Sequence, residues 1–124
     1  MSVALYLASF LLVAIGIAHS VLGERYILIR LFRRQDLPKI KGSTEFTTRT
    51  LRFAWHLTTI AWWGFAAIVI SAARGPVSSH TILLIIGITF CSTGLVTLFT
   101  SRGRHFAWPV FLLIGGICLC AVAT

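Results

Sequence analysis

Four long stretches without a charged side chain constrain this sequence more than any other feature. They cover residues 1–23, 53–73, 75–101 and 105–124 of a chain of 124 residues. A helix rises about 1.5 Å per residue, so about 20 apolar residues cross the roughly 30 Å hydrocarbon core of a bilayer. Charged residues make up 11% of the chain, whereas soluble domains carry about 25%. A water-soluble fold is therefore excluded.

The apolar runs are continuous and lack the alternating pattern of a membrane β-barrel, so they predict transmembrane helices. We expect an all-α membrane protein with helices near residues 2–22, 50–73, 78–100 and 106–123, forming a single domain over residues 1–124. The short connection after Arg74, with Gly75 and Pro76, makes the second and third helices antiparallel neighbours. An up-down four-helix bundle follows. The first stretch has no basic residue before it, which favours a retained helix over a cleaved signal peptide.

The distribution of Lys and Arg predicts the orientation. Every one of them except Arg74 lies in or beside the first connection (residues 23–49) or the third (residues 101–105). Short basic loops stay in the cytoplasm, so both termini should lie outside it.

The first connection and its flanks hold all three acidic residues, Glu24, Asp36 and Glu45, and most of the positive charge. Residues 24–34 read ERYILIRLFRR, a pattern that either extends the first helix or lies along the membrane interface. Pro38 and Gly42 mark a turn after it. Anionic lipid headgroups are the expected partners of Arg25, Arg30, Arg33, Arg34, Lys39 and Lys41. No nucleic-acid-binding module is present, so a nucleic-acid partner is not expected.

Small residues at spacings of about four predict close helix packing. They are Gly16 with Ser20, Gly87 with Cys91, and the pair Gly115 and Gly116. The cysteines, Cys91, Cys118 and Cys120, are odd in number and lie within predicted helices, so we interpret them as packing residues.

Histidines within or beside membrane helices are functional candidates because ionisable groups there are costly. At about 1.5 Å per residue, His19 and His56 each lie roughly 5 to 6 Å inside the apolar boundary on the basic side, and His105 lies at that boundary. Arg52, His56 and Thr59 form one polar stripe of the second helix. The three imidazoles can therefore converge in a polar pocket.

Glu24 joins this pocket only if the chain bends at Gly23. On an unbroken helix, Glu24 points about 140° away from His19. A break at Gly23 would let the carboxylate turn towards both histidines.

Several uses of this pocket remain open. His19, His56, His105 and Glu24 offer ligands for a transition metal, and His19 with His56 could hold a haem. His56 with Trp55, Trp62 and Trp63 would form an aromatic wall for a quinone. The histidines could instead only hydrogen-bond between helices and anchor the interface.

Short motifs carry a resemblance. Together with Asp36-Leu37-Pro38, the motifs His19-Ser20 with Leu22-Gly23-Glu24-Arg25, and Trp55-His56 with Thr58-Thr59, make the chain similar to a family of uncharacterised small four-helix bacterial inner-membrane proteins. The resemblance covers about half the chain and implies a bacterial inner-membrane location but no activity. The first-helix glutamate of small multidrug transporters is absent.

From these features we expect a binding or accessory membrane protein rather than an enzyme. Its partners would be anionic lipid together with a second copy or a larger membrane protein. The alternatives are a metal- or haem-binding oxidoreductase or sensor using His19 and His56, and a proton-linked transporter of small solutes.

Overall fold

The computed structural model describes residues 2–40 and 42–124, which form four helices and no β-sheet. The helices are α1 (Ser2–Leu31), α2 (Glu45–Arg74), α3 (Ser79–Ser101) and α4 (Ala107–Ala123). The all-helical class and the four helices expected from the sequence are confirmed.

Three helices, α1, α2 and α3, are long and apolar enough to cross a membrane. Helix α4 is also apolar but has 17 residues, which corresponds to a length of about 26 Å. It is shorter than the uncharged stretch that contains it because His105 and Phe106 form a turn before it begins.

Two helices extend further into the basic connection than predicted. Helix α1 does not end at Leu22 but continues through a π-helical turn, Gly23–Leu28, to Leu31. Helix α2 begins at Glu45 rather than near residue 50. The residues in these extensions include no proline, and their arginines and apolar side chains can share one helix at a membrane surface.

Contacts between the helices follow the order of the chain. Among the described residues, Cα atoms approach within 8 Å between α1 and α2, α2 and α3, and α3 and α4, but not between α1 and α4. Consecutive helices are antiparallel, as shown for α1 and α2 by the hydrogen bonds of Ser9 to Ala66 and Ser20 to Thr59. The helices therefore form an open array, in which α4 does not close against α1 as it would in the expected bundle.

Small and hydroxyl-bearing residues occupy many contacts between helices, while many large apolar residues are exposed and Leu28 and Phe53 are buried. The buried polar residues are Ser9, Thr47, Thr59, Thr93, Thr97 and Ser101. Phe10, Phe99 and Leu113 are each more than half exposed. In lipid there is no hydrophobic driving force to bury apolar surface between helices. Membrane helices therefore associate through small residues and hydrogen bonds in this way.

Candidate functional site

Helices α1 and α2 meet through a continuous set of polar groups at the basic end of the pair. On α1 these groups recur every fourth residue and therefore share one face. The antiparallel α2 places its own polar stripe opposite them. We call this set the polar network: the Gly16 carbonyl, Ser20 and Glu24 on α1, with Arg52, His56 and Thr59 on α2.

Glu24 lies in the π-helical turn Gly23–Leu28. A π turn accommodates an additional residue per turn, so it changes the direction in which the side chains within it point. Glu24 Oε1 lies 2.9 Å from Arg52 Nη2, and its Oε2 accepts from Arg52 Nε at 3.2 Å. The same Oε2 lies 3.3 Å from His56 Nε2. From the sequence, Glu24 is expected to reach the pocket only if the helix breaks at Gly23. The structure instead has a π-helical turn there, so the helix continues.

A chain of hydrogen bonds runs from His56 towards the middle of the membrane segment. The Ser20 hydroxyl lies 2.9 Å from His56 Nδ1 and 2.7 Å from Thr59 Oγ1. Thr59 Oγ1 in turn donates to the Gly16 carbonyl at 3.1 Å. Thr59 is only 4% exposed, so its hydroxyl depends on these protein partners.

Counting protons fixes the direction of this chain. A carbonyl can only accept, so the single Thr59 proton goes to Gly16, and the Ser20 proton must then go to Thr59. Ser20 has no second proton for His56, so His56 Nδ1 must be the donor to Ser20. A hydrogen bond between His56 Nε2 and Glu24 Oε2, which lie 3.3 Å apart, then requires a proton on one of these two atoms. The geometry therefore supports an Nδ1-protonated His56 beside Glu24.

His19 lies on a neighbouring part of the same interface, where it contacts tryptophans instead of Glu24. Its ring stacks on Trp55 with centroids 4.5 Å apart and an interplanar angle of 2°. His19 Nε2 is hydrogen-bonded to the Trp55 carbonyl at 3.2 Å, and Trp55 Nε1 donates to the His19 carbonyl at 3.0 Å. Trp62 adds an edge contact at 5.0 Å. This reciprocal pairing fixes His19 to α2.

His105 makes contacts different from those of the other two imidazoles. It packs edge-on against Phe53, with centroids 4.9 Å apart, and near-parallel to Phe46 at 5.9 Å. Its Nδ1 accepts from the backbone amide of Ala107 at 3.2 Å. His105 therefore packs the start of α4 against α2. It is not hydrogen-bonded to the polar network.

No three His, Cys, Asp or Glu side chains are placed to hold a metal ion within residues 2–40 and 42–124. Of the four ligands suggested by the sequence, only Glu24 and His56 contact each other. Histidine ligates a metal through an unprotonated ring nitrogen. In this structure both nitrogens of His56 and the Nε2 of His19 already have protein partners.

The basic side chains expected to meet lipid headgroups are exposed where they are described. These are Arg25, Arg30, Arg33, Arg34 and Lys39, whereas Lys41 lies outside the described residues. The guanidinium groups of Arg25 and Arg30 lie 5.5 and 5.8 Å from the Tyr26 ring centroid. Hydrogen bonding from Arg34 lowers the pKa of Asp36 to about 2, so this carboxyl remains charged at ordinary pH.

Sequence reasoning missed the central position of Ser20 and the Gly16 carbonyl. From the sequence, Ser20 is expected to pack between helices and forms part of a resemblance motif, whereas in the structure it connects His56 to Thr59. The available signal was the four-residue spacing of Gly16, Ser20 and Glu24, which puts them on one face. Pairing that face with the polar stripe of the antiparallel second helix would have placed Ser20 beside His56.

Comparisons with known proteins add no assignment to this geometry. No protein-family model, curated protein or solved structure matches the chain.

Proposed function

We propose that the chain is a bacterial inner-membrane protein of the binding or accessory type, with both termini outside the cytoplasm. The concentration of Lys and Arg in the first and third connections supports this orientation, because basic loops are retained on the cytoplasmic side. The polar network would then lie at the cytoplasmic end of α1 and α2.

One observation supports a binding protein over a cofactor protein: both ring nitrogens of His56 and the Nε2 of His19 are hydrogen-bonded to protein groups. His56 bonds Ser20 through one ring nitrogen and Glu24 through the other. Hydrogen bonds of this kind between membrane helices each contribute about 0.6 to 2 kcal/mol. The polar network therefore joins α1 to α2 in a fixed register.

With α1 and α2 held in this register, the outer face of α1 remains available for contact with another helix. A shallow apolar hollow runs along it, lined by Ala8, Leu11, Leu12, Ala14, Ile15 and Ala18. Small residues at such a face allow another helix to approach closely. A second copy of the chain or a larger membrane protein would pack here.

Photo-crosslinking in native membranes tests this proposal. A photoreactive amino acid in place of Leu11 should give one discrete product, at twice the 13.7 kDa chain mass for a second copy or at a larger defined mass for another protein. The same residue in place of Leu113, which is 64% exposed on α4, is the matched control and should give lipid adducts. Lipid adducts alone at Leu11, or the same protein products from both positions, would contradict the proposal.

A proton-linked transporter is the second candidate, and the chain from Glu24 through His56 and Ser20 to Thr59 favours it. Such a chain can pass a proton along its hydroxyl and imidazole groups, although it covers only part of the membrane segment. Proton flux in proteoliposomes, lost in His56→Gln, would replace the accessory proposal by this one. A Soret band or stoichiometric metal, lost in His19→Ala and His56→Ala, would replace it by the metal- or haem-binding oxidoreductase or sensor.

A further inference from the structure

A cavity with charged residues in its lining lies between α2 and α3, at the level where the uncharged stretches begin and end. Its volume is about 350 Å³, and its lining combines charged, hydroxyl and aromatic side chains: Glu45, Thr48, Arg49, Arg52, Phe99 and Thr100. Because this level borders the apolar segments, the cavity lies at the depth of lipid headgroups.

Arginines dominate the charge around this cavity. Arg49 pairs with Glu45 (Nη2 to Oε1, 2.9 Å) and donates to the Thr100 carbonyl at 3.1 Å, which fixes its guanidinium between α2 and α3. Arg102 and Arg104 approach the same Glu45 carboxylate from the third connection, at 4.0 and 3.5 Å.

Arg52 completes the cationic lining and is held there by Glu24. With Arg49, Arg102 and Arg104, it brings four positive charges to a region that contains two carboxylates. Each guanidinium carries five N–H donors in a planar fork. The excess of charge and donors favours a bound anion with several acceptor oxygens, as in a phosphate group.

A second, apolar cavity of about 330 Å³ lies deeper between the same two helices and includes Ile60 and Ile88 in its lining. Ile60 follows Arg49 by eleven residues on α2, and Ile88 precedes Phe99 by eleven residues on α3. Eleven residues are about three helical turns. Each pair therefore shares one side of its helix, and both cavities open on the same side of the α2 and α3 pair.

We propose that this side of α2 and α3 binds one anionic phospholipid. The headgroup phosphate would bind at Arg49, Arg52 and Arg104, and an acyl chain would fill the apolar cavity beyond them. Basic pockets between membrane helices bind lipid headgroups by this combination of charge and apolar surface. The alignment of the two cavities favours a lipid over a soluble phosphate, which would use only the first. This site does not include the outer face of α1.

The first test uses the unmodified protein reconstituted in vesicles of phosphatidylcholine with phosphatidylglycerol. A photoactivatable phosphatidylglycerol should label peptides containing residues 45–52 and 99–104 more strongly than residues 24–34. A photoactivatable phosphatidylcholine should label these regions without that preference. Equal labelling by both lipids, or labelling by phosphatidylglycerol mainly at residues 24–34, would overturn the proposal.

The second test measures phosphatidylglycerol binding to purified protein by native mass spectrometry. Changing both Arg49→Gln and Arg104→Gln should weaken binding of the first lipid at least about tenfold. The control, Arg74→Gln, removes a positive charge from the second connection, far from the site, and should weaken binding less than about threefold. Equal losses in the two variants would show diffuse attraction to charge and overturn the site.

Soluble competitors distinguish the source of the phosphate. Glycerophosphoglycerol, which has the headgroup without acyl chains, and inorganic phosphate should fail to displace the lipid at equal concentration. Displacement by either one would show that the cavity binds a soluble anion and would overturn the lipid proposal.

Discussion

Gly23→Ala is expected to lower the free energy of unfolding by about 2 to 3 kcal/mol, although alanine is the better helix former. A Cβ atom at residue 23 would lie closer to Trp55 Nε1 and Cε2 than van der Waals contact allows. The indole cannot then remain in place. Its displacement breaks its hydrogen bond to the His19 carbonyl and the stack on the His19 ring.

A second substitution shows whether the Trp55 ring is the cause. In a Trp55→Leu background, Gly23→Ala should cost at least about 1 kcal/mol less, because the obstructing ring is gone. Both costs would be measured by unfolding in mixed detergent micelles. An equal cost in the two backgrounds would show that the close approach of Gly23 to Trp55 is not what the structure describes.

Gly115→Ala is expected to lower the free energy of unfolding by about 1 to 3 kcal/mol by separating α3 from α4. A Cβ at residue 115 would lie 2.5 Å from Cys91 Sγ, 2.8 Å from the Cys91 amide nitrogen and 2.9 Å from the Gly87 carbonyl oxygen. Two of these three atoms belong to the backbone, so a side-chain rotation cannot relieve the clash and the helices must move apart.

Gly116 provides a control one residue away. A Cβ there would meet nothing within 4 Å, so Gly116→Ala should be neutral or stabilising by up to about 1 kcal/mol. The difference between the two alanine variants, measured by thermal unfolding in detergent, isolates the packing effect from helix propensity. Equal stability of the two would contradict the contact at Gly115.

The positions of the candidate site residues along their helices could be predicted from the sequence, whereas their direction around the helix could not. Counting residues from the charged boundaries placed His19 and His56 at one level, and both lie in the α1 and α2 interface. His105 was placed near that level by the same count, but depth does not determine which neighbours a side chain meets. The turn before α4 directs it to Phe46 and Phe53.

Glu24 shows a second limit of sequence reasoning. Gly23 indicated that the helix could change there, but a glycine does not distinguish a break from a π-helical turn. The choice depends on contacts made after folding, with Trp55 filling the space beside Gly23 and with Arg52 and His56 binding the carboxylate. The small-residue pattern likewise does not show which glycine makes the helix contact. Gly115 and Gly116 look equivalent in sequence, but only Gly115 faces α3.

The protonation of His56 Nδ1 tests the polar network most directly. Nitrogen-15 NMR of histidine-labelled protein in lipid, with the His56 signals assigned by their loss in His56→Gln, distinguishes protonated from bare ring nitrogens. The directed chain from His56 through Ser20 and Thr59 to Gly16 predicts a protonated Nδ1. A neutral ring with a bare Nδ1 and a proton only on Nε2 would contradict it. In that case the single Ser20 proton could not be donated to both His56 and Thr59.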